Sequence, residues 1–137
     1  MAHYQYEGRK NLKVFIGVVI FFLIFLVLGW YAEVTIAQQA EELLSEIEKL
    51  ATSVKNLDTA QISTQLEKIN KSWIKSRKIW VLLIDHQDLD EFELYLARTK
   101  SFLANEADVL ALSGIAEMKQ TINRIPDQIR LTLENIF

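Results

Sequence analysis

The residues with the most chemistry in this chain fall in one short stretch: Asp85, His86, Asp88, Asp90 and Glu93. Carboxylate oxygens and an imidazole could together hold a divalent cation. The spacing fits no metal motif, however. It lacks the Gly that a calcium loop needs for its turn and the second His of a HExxH helix. The other histidine, His3, lies near the opposite end of the chain. One relevant His assembles no Ser/His/Asp triad, and no Gly-rich phosphate loop occurs. The absence of Cys removes thiolate ligands, a nucleophilic thiol, disulfides and a lipidated Cys together. The stretch therefore reads as a helix–helix turn whose carboxylates cap the next helix and suit its positive dipole end. Asp88 is the expected N-cap, with Glu91 three residues on completing a capping box. No catalytic residue, metal site or cofactor is expected, and the chain is not read as an enzyme. Asp85, His86 and Arg98 remain candidates for an interaction or for a structural lock.

A second constellation precedes it. Trp73, Arg77 and Trp80 are spaced four and three apart, so all three share one helix face. The tryptophans continue the register of Ile62, Leu66 and Ile69, which argues that they face a core, with Arg77 at its edge and its guanidinium over an indole. The same residue types are enriched in partner hot spots, so both a core lock and an interaction face are open.

These residues must be positioned by helices, and the helices hang from one segment. Residues 14–32, VFIGVVIFFLIFLVLGWYA, are nineteen residues without a charge or a proline. As an α-helix this run is about 28 Å long, close to the roughly 30 Å hydrocarbon core of a bilayer. A buried core helix would need a larger protein around it. A cleaved signal peptide would have a shorter apolar core, and only Thr35-Ile36-Ala37 loosely mimics its cleavage site. The run is read as an uncleaved anchor, with Trp30 and Tyr31 as its headgroup-level aromatic residues. The leader before it carries Arg9, Lys10 and Lys13 against Glu7, whereas the rest of the chain is acidic and the whole has a net charge of −3. Positive flanks stay in the cytoplasm, which predicts a cell-membrane protein with its N-terminus inside and its C-terminal domain outside. The acidic balance of that domain gives no support to nucleic-acid binding.

The expected domains are a basic leader at 1–13, a transmembrane helix at 14–32 and an extracytoplasmic helical domain at 33–137. With one Pro and four Gly in the chain, little of it reads as linker. A first amphipathic helix carries Ile36, Ala40, Leu43, Ile47, Leu50, Val54 and Leu57 in alternating four-three spacing. Whether it continues the anchor as one helix is open. Asp58 or Thr59 caps a second helix over 60–84, with the inner stripe Ile62, Leu66, Ile69, Trp73, Trp80 and Leu83. Lys68, Lys71, Lys75 and Lys78 line another of its faces, either solvated or attracted to an anionic surface. A third helix over 89–104 turns Leu89, Phe92, Leu96 and Leu103 inward. A fourth over 108–124 buries Ala111, Ile115, Met118 and Ile122, and Gly114 marks a close crossing. Pro126 is expected to stop that helix and open a fifth over 127–136, offering Ile129, Leu133 and Ile136. The fold class is all-α: one N-terminal transmembrane helix and a small antiparallel bundle of four to five helices.

The pattern Trp73…Trp80, Leu83-Ile84-Asp85-His86, Leu89-Asp90 and Leu96-Ala97-Arg98, then Ile125-Pro126 leading to the C-terminal Leu131-Thr132-Leu133-Glu134-Asn135-Ile136, resembles the uncharacterised bacterial family called domain of unknown function 4363. Its members are small single-anchor membrane proteins. The resemblance covers the chain after the leader. It implies a multi-span membrane-protein partner and no activity. Two classes of function follow. The first is an anchored accessory or interaction domain working with the lipid bilayer, a membrane-protein partner or a second copy of itself. The second is a ligand-sensing bundle signalling through a partner. A polar pocket between the second and third helices would favour the sensor, and a filled apolar core there the accessory domain.

Overall fold

The computed structural model describes residues 2–136, with side chains described for 11–130. The expected inner positions Leu133 and Ile136, with the rest of the C-terminal run 131–136, lie outside the described side chains, as does His3. Four helices follow one another: α1 (Ala2–Lys55), α2 (Thr59–Trp80), α3 (His86–Ala104) and α4 (Asp108–Ile136). The chain divides between Val34 and Thr35 into two compact units.

In the first unit α1 carries the apolar run. Its large side chains are exposed, from 41% at Val19 to 73% at Phe21. It is the one helix among the described residues that is long and apolar enough to cross a membrane, and it lies near the N-terminus.

The second unit is an antiparallel four-helix bundle. The seam of α1 is buried as its spacing predicts: Ile36, Leu43, Ile47 and Leu50 are fully enclosed, and Ala40 and Val54 nearly so. Facing it are Ile69, Trp73 and Trp80 from α2, Leu89, Phe92 and Leu96 from α3, and Ile115, Met118, Ile122 and Ile125 from α4. Leu57 departs from the seam. It is 70% exposed with φ 56°, because α1 has already ended. The Leu57 N–H donates to the Val54 carbonyl and the Asp58 N–H to that of Ser53, a Schellman closure. The turn after α3 repeats it, with Glu106 at φ 54°, its N–H bonded to the Leu103 carbonyl and that of Ala107 to Phe102. Both left-handed positions lack the Gly that would occupy them without strain.

Asp58 caps α2 by accepting the Gln61 N–H at 3.0 Å. The helix stops at Trp80, four residues earlier than expected, and the chain turns through 81–84. Leu83, assigned to the inner stripe by periodicity, is half-exposed; Ile84 is buried in its place, because the turn breaks the helical register. The cap of α3 is also corrected. Asp85, not Asp88, accepts the Gln87 N–H at 2.9 Å, which starts α3 at His86.

Pro126 does not end α4; one helix runs through it to Ile136. A proline inside a helix costs about 3 kcal/mol. Ile125 and Ile129 are buried on either side of it, and that burial requires the helical register to continue. The fourth and fifth helices expected from the sequence are thus one. α3 and α4 pack closely against each other, and Gly114 permits it. A Cβ there would overlap Thr99 Oγ1 and touch the Thr99 Cβ and Cα at 3.6 and 3.7 Å. α4 returns to α1 through the Lys119–Glu48 ion pair, which holds the Glu48 carboxyl below its ordinary value by hydrogen bond and charge.

Two substitutions test this packing on the full chain in detergent micelles. Glu106→Gly should stabilise the bundle by about 1 kcal/mol in denaturant unfolding, since it relieves the left-handed strain. Gly114→Ala should cost about 1–3 kcal/mol by overpacking, and Thr99→Ala should recover part of that loss.

Candidate functional site

The sequence-predicted residues fall at the α2–α3 contact and at the turn joining those helices. Trp73 and Trp80 lie seven apart on α2 and both point inward, at 3% and 0% exposure. Their rings meet edge to face, with centroids 5.9 Å apart and planes at 83°. Trp73 also stacks on Phe92 of α3 at 4.3 Å. Such aromatic pairs add about 0.5–1.5 kcal/mol beyond the area they bury.

An indole N–H taken out of water needs an acceptor. Trp73 Nε1 donates to Glu93 Oε1 at 3.1 Å, and Trp80 Nε1 donates to Gln39 Oε1 at 2.8 Å. The first bond ties α2 to α3, the second ties α2 to α1. Arg77 was expected over an indole face. Its Nε instead lies 2.6 Å from the same Glu93 Oε1. Both members of that pair are about two-fifths exposed, so it contributes at most about 1 kcal/mol.

The acidic stretch disperses. Asp85 is occupied in capping. Asp88 turns into the bundle, where Gln128 Nε2 donates to it at 2.5 Å and Arg124 Nη2 lies 3.3 Å away. Arg124 also donates to Glu91 Oε2 at 3.0 Å. Glu93 serves Trp73 and Arg77. His86 and Arg98 face solvent. Among the described residues no three His, Cys, Asp or Glu side chains converge as metal ligands.

Gln39, Gln128 and Arg124 were missed by sequence reasoning. Nothing within a helical turn of them marks them as partners of residues in another helix. The α2–α3 contact is filled by Trp73 and Phe92. One open polar groove of about 490 Å³ lies between α1 and α2, lined by residues that include Ser45, Asn56, Gln61 and Gln65. A second of about 470 Å³ lies at the end of the α2–α3 contact, between Thr59 and Ile62 of α2 and Leu103 and Ala104 of α3, with Glu106 and Asp108 beside it.

Residues 31–136 match the family model described as "Domain of unknown function (DUF4363)". The chain belongs to this family. The matched region takes in the whole bundle and starts at the aromatic end of the apolar run. No curated protein and no solved structure matches the chain.

The tryptophan pair gives this DUF4363 bundle a sharp test. Trp73→Ala or Trp80→Ala should destabilise the full chain in micelles by about 3–5 kcal/mol. Gln39→Leu, which leaves a buried indole N–H unpartnered, should cost about 1–3 kcal/mol. Unchanged thermal unfolding of both tryptophan variants would instead make this face a partner hot spot.

Proposed function

We propose that this protein is a membrane-anchored accessory domain of the DUF4363 family. Residues 14–32 span the bilayer, the N-terminus lies in the cytoplasm, and the bundle works outside, on a membrane-protein partner or a second copy of itself, without catalysis. The observation that carries this reading is the exposure of every large apolar side chain from Val14 to Trp30 except Leu26. Twenty-five cal/mol per Å² of apolar surface left in water, summed over such a helix, is a cost that lipid removes. The basic leader supports the orientation. Trp73, Trp80 and Phe92 fill the middle of the α2–α3 contact, which supports the accessory role over ligand sensing; the groove between Thr59 and Ile62 of α2 and Leu103 and Ala104 of α3 lies at the open end of that contact. The dispersal of the acidic stretch among capping, packing and ion pairs supports the absence of catalysis.

A reporter enzyme active only outside the cytoplasm, fused after Phe137, should be active, and the fusion should stay with the membrane after alkaline carbonate extraction. Activity of a cytoplasm-only reporter at the same position would reverse the orientation. Release of the protein in soluble form would remove the anchor.

A further inference from the structure

The turn between α2 and α3 carries an exposed apolar tip that the bundle does not use. Leu82 is 79% exposed, Leu83 50% and Ile79 38%. The adjoining last turns of α2 carry Lys75 and Lys78, both exposed. Lys75 and Lys78 are three apart and share one side of the last turns of α2, and Leu82 follows in the turn after it. Most nearby carboxylates already have partners: Asp85 caps α3, Asp88 and Glu91 hold Arg124, and Glu93 holds Arg77. Asp85, whose cap bond is to a backbone N–H, and Asp90 both face solvent, and neither is in an ion pair among the described residues. The tip is thus an apolar point with two exposed lysines, and two exposed aspartates, around it.

Its place in the second unit is fixed by Trp80. The indole is fully buried and bonded to Gln39, so the C-terminal end of α2 lies beside the start of the unit's own α1 segment. Gln39 is seven residues past Ala32, where the apolar run ends. A fully extended chain over that stretch could reach no more than about 25 Å. The polar headgroup layer itself occupies roughly 5–8 Å on each side of the hydrocarbon core. An apolar point carrying two long lysine side chains and tethered that close to the bilayer is matched to its surface.

We propose that the α2–α3 turn docks on the bilayer that holds the anchor, with Leu82 and Leu83 in the headgroup–acyl boundary and Lys75 and Lys78 on anionic headgroups. This rests on the anchor reading above. Docking adds a second membrane attachment to the bundle and presents its opposite end, where Val109 is 82% exposed, to other partners.

The natural chain has no Cys, so single nitroxide labels report single positions. Phe21→Cys, Leu82→Cys and Val109→Cys are each labelled in the full chain and reconstituted into vesicles of phosphatidylcholine, with and without phosphatidylglycerol. Paramagnetic relaxation by oxygen, which concentrates in lipid, is compared with that by a water-soluble nickel chelate. The proposal expects lipid-like ratios at 21 and 82 and an aqueous ratio at 109, with the docked fraction at 82 rising with phosphatidylglycerol. Lys75→Gln or Lys78→Gln should each lower the docked-to-undocked ratio about fivefold. A lipid-like ratio at 21 with aqueous ratios at both 82 and 109 would overturn docking and leave the anchor intact. An aqueous ratio at 21 would overturn the anchor as well. Spin–spin broadening at 82, independent of lipid composition, would overturn docking in favour of a second copy covering the tip.

Discussion

The bundle depends on one constraint, the burial of the α1 seam. Six apolar residues from Ile36 to Val54 lie on one face of a helix and are enclosed to within 1% of their surface. A single amphipathic helix in water cannot hide such a stripe, so three further helices must cover it. The connections that allow this are short. The chain needs only residues 56–58 to turn from α1 to α2 and 105–107 from α3 to α4. Both turns use the left-handed closure, which satisfies the last carbonyls of the helix it ends. The cost of placing Leu57 and Glu106 there is tolerated because a longer turn would let the covering helices slide along the seam.

Polar groups then set the register that apolar packing leaves loose. Hydrophobic burial is non-directional, whereas a hydrogen bond from a buried indole has one acceptor. Trp80 to Gln39 fixes α2 against α1, and Trp73 to Glu93 fixes α2 against α3. Asp88, buried in the bundle, is held by Gln128 and Arg124 on α4. Of the residues that looked most like an active site, Asp88 and Glu93 thus hold neighbouring helices together, Asp85 caps its own helix, and His86 and Asp90 face solvent. For a protein proposed to work as an anchored accessory domain, this is a coherent division: an interior tied together by its aromatic and carboxylate groups, and a surface whose most exposed apolar points, Leu57, Leu82 and Val109, lie at the ends of the bundle.

Much of this was legible in the residue order. The apolar run, the all-α class, the α1 seam, the Asp58 cap and the close crossing at Gly114 all depend on composition or on neighbours within one helical turn. Where the sequence misled, a contact from another element outweighed a local preference. Pro126 is a helix breaker by its own geometry, yet Ile125 and Ile129 keep α4 continuous through it. Asp88 is a good cap by spacing. Asp85 takes the role because Asp88 is turned toward Gln128 and Arg124. Leu83 continues the α2 stripe by periodicity, but the helix ends before it.

The sequence by itself therefore determined which faces are apolar, the end of α1, the starts of α2 and α4 and the end of α3, because those properties are set within three or four residues. Only the tertiary structure decided the partners. Glu93 lies 20 residues from Trp73, Gln128 lies 40 from Asp88, and Gln39 lies 41 from Trp80. At such separations periodicity specifies that a side chain faces inward but not which side chain it meets. That choice depends on how the covering helices are rotated and shifted against the seam, and it is fixed only when the whole bundle packs.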